Sequence, residues 1–125
     1  MQRYLSAPDD DVSMMSDDVV FRIMATGEEF RSPEAVAALF DYYYRVAFDA
    51  TWEQHRVVIG RGSAVWEGTF VGTHIGEFAG VSATGRRVRI PLCVCYDFKD
   101  GMLVEGRVYF ETPAFLSQVA WPADD

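Results

Sequence analysis

Acid–base chemistry without a cofactor needs a group that takes a proton and a donor aimed at the charge that develops, both shielded from water. One histidine has such a setting. Between Ser63 and Phe78, the residues Ala64, Trp66, Gly68, Phe70, Gly72, His74, Gly76 and Phe78 alternate with Val65, Glu67, Thr69, Val71, Thr73 and Ile75. In an extended segment the imidazole therefore shares a face with three large aromatics. If that face is inward, desolvation favours the neutral ring and leaves one nitrogen as an acceptor; the plainer alternative is a histidine near a strand end that hydrogen-bonds a backbone carbonyl or simply faces solvent. Glu111 is the second candidate, because Glu105, Arg107, Tyr109 and Glu111 fall on one face. It either serves as a base or pairs with Arg107, on a face polar enough to be solvent or an interface. His74 and Glu111 are thus the expected catalytic pair. Tyr43, Tyr44, Trp66, Phe70 and Tyr96 are the expected contacts to a mostly apolar small molecule.

Other chemistries find less support. His55 shares a face with Glu53 and Thr51, which suits the surface, and two histidines without H-x-H or H-x-x-x-H spacing argue against a metal. Gly60-Arg61-Gly62 joins two strands and opens no helix, so it is no phosphate loop, and no G-x-S-x-G elbow is present. No cofactor is expected. Cys93 and Cys95, about 6.6 Å apart along one strand, suit neither a relaxed disulfide nor half of a zinc site, and are expected to be reduced. A net charge of −8 argues against nucleic acid, and the basic cluster Arg86, Arg87 and Arg89 is expected to be a solvated rim. No stretch reaches the ~18 apolar residues of a membrane span, and no apolar signal region follows Met1-Gln2-Arg3-Tyr4. A cytoplasmic protein is the expectation.

The elements that position these residues follow from pattern and turn chemistry. At 125 residues, half of them hydrophobic, the chain forms one domain with a sizeable core. Two short helical pieces, Gln2 to Ala7 and Val12 to Met15 or beyond, are expected before a short strand from Val19 to Met24 and a turn at Thr26-Gly27-Glu28. Ser32-Pro33-Glu34 combines a hydroxyl cap, a proline at the first helical position and an acid at the positive dipole end. The helix it opens is expected to run to about Phe48. Long strands are expected at Thr51 to Ile59, Ser63 to Phe78, Arg86 to Phe98 and Met102 to Glu111, the last two joined through Lys99-Asp100-Gly101. A short helix after Thr112-Pro113 closes the chain, stopped by Trp121-Pro122. The fold class is α+β, a curved antiparallel sheet wrapped around helices.

In that order the segments Phe70-Val71-Gly72-Thr73-His74-Ile75-Gly76-Glu77-Phe78, Thr84-Gly85-Arg86-Arg87-Val88, Asp100-Gly101 with Leu103-Val104-Glu105, and Tyr109-Phe110-Glu111 resemble the SnoaL-like polyketide cyclase family. This family lies within the nuclear transport factor 2-like superfamily, beside the ketosteroid isomerases. The resemblance implies a cone-shaped half-barrel with a pocket between sheet and helices, a homodimer made through the sheet, and a cofactor-free cyclase or isomerase acting on a hydrophobic substrate; the alternative is a non-catalytic ligand-binding or dimerisation module that has lost the catalytic base. The chain departs from the family in a shortened opening helix. Where family members carry an acid in the last strand, the matching position is Val108, while Glu111 matches a second acidic position.

Overall fold

The large aromatics between Trp66 and Phe78 point inward, and the sheet is built around them. The computed structural model describes residues 14–119. The helical piece expected from Gln2 to Ala7, the start of the one from Val12 and the Trp121-Pro122 stop lie outside these residues.

Six strands follow the order β2-β1-β6-β5-β4-β3 across one curved, unclosed sheet. They are β1 (Met15–Ile23), β2 (Glu28–Arg31), β3 (Phe48–Gly60), β4 (Ser63–His74), β5 (Arg87–Lys99) and β6 (Met102–Phe110). The meander β3–β4–β5–β6 is antiparallel throughout, as expected. The chain enters alongside its last strand, however, so β1 pairs with β6 in parallel and the sheet is mixed. Met15 already belongs to β1, which overturns the helical expectation there: Met15, Val19, Phe21 and Ile23 are all buried, and an extended segment presents them to the core.

Helix α1 (Pro33–Asp41) starts where the cap motif places it, the Ser32 hydroxyl accepting the Ala35 N–H at 3.1 Å. It does not continue as an α-helix to Phe48. Residues Tyr42–Val46 form a π turn, with the Ala47 N–H donating to the Tyr42 carbonyl, and Phe48 opens β3. Two causes are visible. The wider turn spreads three consecutive tyrosine rings into different surroundings. The Ala47 carbonyl accepts the Ile75 and Gly76 N–H groups, each at 2.9 Å, which ends the helix and also stops β4 at His74 rather than Phe78. The chain beyond forms a tight turn, with Phe78 and Val81 exchanging backbone hydrogen bonds around Ala79 and Gly80 at positive φ.

The inner face of the sheet, including Phe21, Trp66, Phe70, Ile90, Tyr96 and Phe110, packs on Val36 and Leu39 of α1. The closing helix α2 (Thr112–Val119) buries Phe115 and Val119. Its Gln118 side chain accepts the Arg89 N–H at 2.8 Å and donates to the Arg89 carbonyl at 2.7 Å, replacing β6 beyond its end. Tight curling of β3 over β4 depends on glycines facing inward: a Cβ at Gly72 would sit 2.5 Å from the Ala50 Cβ, and one at Gly68 would meet the Glu53 carbonyl.

Candidate functional site

His74 is fully buried, among Phe48 (ring centroids 5.4 Å) and Phe115 (5.0 Å). Its Nδ1 accepts the Thr84 N–H at 3.2 Å and lies 2.9 Å from the Thr84 hydroxyl. That hydroxyl accepts the Arg86 N–H, so its own proton is directed at Nδ1. Two donors thus occupy one lone pair, and the ring proton sits on Nε2, which has no hydrogen-bond partner among the described residues. Burial pushes the pKa of His74 below its ordinary value, opposed by the nearby carbonyls of Gly76 and Val81. The imidazole is neutral and occupied in tying the 75–86 segment to β4.

Glu111 is not brought to His74. It follows Phe110, which points inward, and lies exposed in a groove on the outer side of the sheet with His55, Glu67, Thr69, Cys93 and Tyr109. Nor does it pair with Arg107, whose guanidinium binds Asp97 at 2.7 Å and Glu105 at 2.8 Å and is raised above its ordinary pKa by those two hydrogen bonds. His55 is exposed beside Thr69, in the bulge between Gln54 and Arg56. Arg89 forks onto Glu53 at 2.8 and 3.1 Å.

The five aromatic candidates do converge. Tyr44, Trp66 and Tyr96 line one void of about 40 Å³, and Tyr43, Tyr44 and Phe70 line a neighbouring one of similar size. Each has room for little more than water, so ring packing fills most of the cone here. A more enclosed space, larger than either void though smaller than the open outer groove beside Glu111, lies next door and shares Ile23, Leu39 and Tyr43 with the second void. This cavity of about 390 Å³ falls between α1, the β1–β2 turn, the Phe78 turn and the start of α2. Such a volume lies within the range of small-molecule pockets.

Its walls are largely apolar: Ile23, Phe30, Leu39, Phe78 and the rings of Tyr42 and Tyr43. Tyr42 is held by donating its hydroxyl to the Glu77 carbonyl at 2.6 Å. Burial, then the charge of Glu28 and the neighbouring Tyr42, push the Tyr43 phenol well above its ordinary pKa, so it stays protonated and able to donate. Glu28 sits at the rim. The Thr26 hydroxyl donates to Glu28 Oε1 at 3.0 Å and accepts the Glu28 N–H at 3.2 Å, which orients the carboxylate. Of these groups the sequence singled out Tyr43 alone. Thr26-Gly27-Glu28 reads as a turn and nothing more, and no local pattern places its acid beside a tyrosine fifteen positions on. No cluster of three metal-binding side chains exists among the described residues.

Comparison with known proteins bears on the fold. The family model for SnoaL-like polyketide cyclase matches residues 6–119. A search of curated proteins finds no match. Among solved structures, AclR from Streptomyces galilaeus is 26% identical with a TM-score of 0.71, covering 89% of this chain and 82% of its own. TsrD from Streptomyces laurentii is 18% identical with a TM-score of 0.76, covering 94% and 90%. A protein of Jannaschia sp. CCS1 named for the SnoaL-like cyclases is also 18% identical, with a TM-score of 0.76 and coverage of 88% and 76%.

Proposed function

The chain belongs to the SnoaL-like polyketide cyclase family, and on that premise we propose that it binds a mostly apolar small molecule in the cavity between α1, the β1–β2 turn and the Phe78 turn. The supporting observation is the cavity itself: about 390 Å³, walled by Phe30, Tyr42, Tyr43 and Phe78, with Glu28 also among its lining residues and close enough for its charge to act on the Tyr43 phenol. A few polar groups on an apolar wall orient a ligand without holding a generic one tightly. The test narrows the mouth. Ala38 lines the cavity from the exposed side of α1, so Ala38→Trp is expected to weaken binding of polycyclic aromatic or steroid-like probes at least tenfold while leaving the thermal midpoint nearly unchanged. Equal binding by wild type and variant would place the ligand elsewhere.

The shared position of Glu28 and Tyr43 favours one chemical reading of the site, the isomerisation or ring closure of an enolisable substrate. A carboxylate takes the proton from the carbon acid, and the neutral phenol donates to the developing oxyanion. Saturation of the His74 lone pair and the outward position of Glu111 give this role to the cavity groups. Proton exchange at the α-carbon of a cyclic ketone in D2O, followed by NMR, is expected to slow at least a hundredfold in Glu28→Gln and at least tenfold in Tyr43→Phe. Unchanged exchange in Glu28→Gln would leave binding as the whole function. We also propose that two copies pair through the outer face of the sheet, where Val58, Val65 and Tyr109 are exposed and no helix among the described residues covers them.

A further inference from the structure

We propose that the ligand of this cavity carries a positively charged alkylammonium group; this rests on the small-molecule binding reading of the same site, takes Glu28 as the counter-ion and does not require it to act as a base. Four aromatic rings line the space, and the single charged residue among its lining residues is anionic, Glu28. Tyr42, Tyr43 and Phe78 form one corner, with centroids 5.3 to 6.2 Å apart and Tyr43 nearly perpendicular to Tyr42. Phe30 adds a further ring. Ring faces attract a cation within about 6 Å, and an ammonium with alkyl substituents sheds its hydration more readily than a bare metal ion. Among the described residues no positive group answers the carboxylate from within the cavity. The basic residues nearest in sequence are engaged elsewhere: Arg22 and Arg31 bind Glu29, and Arg45 pairs with Asp41 at 3.6 Å.

The carboxylate is prepared for such a partner. Thr26 occupies Oε1 and so fixes the group at the rim, and no ion pair to Glu28 exists among the described residues. An anionic ligand would bring like charge to Glu28 in a site that holds nothing to offset it. A bare metal ion would find one carboxylate in a space of about 390 Å³ with no second metal-binding side chain among the described residues on its walls. The net charge of −8 adds a field that draws cations toward the molecule.

Three matched probes decide the matter: benzyltrimethylammonium, its neutral carbon isostere neopentylbenzene, and the anion phenylmethanesulfonate, each titrated by NMR into the whole chain. The cation is expected to bind at least tenfold more tightly than the neutral isostere, and the anion most weakly. Glu28→Gln is expected to cut the cation's preference to under threefold and to leave the neutral probe's affinity unchanged. Glu28 is exposed, so the variant should fold as the wild type does, which its amide spectrum checks. Glu34→Gln removes an exposed charge of α1 that lies outside the cavity and should preserve the preference, separating a local partner from the overall field. Equal binding of cation and neutral isostere, or a preference that survives Glu28→Gln, overturns the inference while leaving an apolar pocket intact. If none of the three binds, the pocket reading fails and the inference with it.

Discussion

His74 illustrates how a residue suited to catalysis becomes a fastener. Its ring is enclosed, its Nδ1 receives two donors from Thr84, and its Nε2–H carries the cost of burial. Truncation to alanine removes an aromatic packed against Phe48 and Phe115, and a loss of about 2–4 kcal/mol is expected in urea unfolding. The pH dependence has a definite sign. Burial lowers the folded-state pKa below the ordinary 6.5, so the unfolded chain takes up the proton first. The contribution of His74 to stability is therefore complete above about pH 6.5 and falls as pH drops from there through the folded-state value. Comparing urea midpoints at pH 8 and pH 5 should show a smaller drop in His74→Phe than in the wild type. An identical drop would mean that this imidazole is not the group being titrated.

Among the elements, β4 bears the geometric demand of the cone. It must accept the backbone of β3 at close quarters, and Gly68 and Gly72 are the positions where a side chain would collide with it. Gly72→Ala is expected to cost about 1–3 kcal/mol, because the atoms in the way are the Ala50 Cβ and the Asp49 carbonyl, and a paired strand cannot step aside as a flexible side chain does. Gly80→Ala, by contrast, meets no atom but sits at φ +81°, so its cost is purely conformational. Chemical denaturation of both variants would separate the two causes: a Gly72→Ala protein as stable as the wild type would mean that the curvature relaxes without penalty. The π turn that follows α1 belongs to the same scale. By ending the helix early it directs Tyr43 toward the cavity and Tyr44 toward Trp52 and Phe70.

At the scale of the molecule, the helices among the described residues cover one face of the sheet and leave the other to its own side chains. That outer face holds charge pairs satisfied within the chain, Arg89 with Glu53 and Arg107 with Asp97 and Glu105, around the exposed Val58, Val65 and Tyr109 and the half-buried Cys93 and Cys95. An exposed apolar strip between matched charges suits contact with an identical copy. Sedimentation equilibrium at micromolar concentration is expected to give twice the monomer mass, and Val65→Lys to return the monomer. A monomeric wild type would end the pairing proposal without touching the cavity. Among the described residues no helix is long and apolar enough to cross a membrane.

What the sequence determined by itself was the set of features that one strand or one turn decides. Alternation of side chains is local, so that Trp66, Phe70 and His74 share one face of their strand, and Glu105, Arg107 and Tyr109 one face of theirs, could be assigned before any partner strand was known; which face turns inward was settled by the packing. The Ser32 cap and the Asp100-Gly101 turn, at φ +53° and +79°, likewise follow from their own chemistry. Tertiary structure decided everything that depends on who meets whom. Whether His74 is a free base or a bonded one turns on Thr84, ten residues away across a loop. Glu28 reaches the cavity because Ile23 pairs with Glu28 in a hairpin and α1 packs beside it, carrying Tyr43 toward the same space. Neither residue carries a local signal of the other, since hydrogen bonds and burial between distant segments are set by strand pairing and helix packing, which period and turn chemistry leave open.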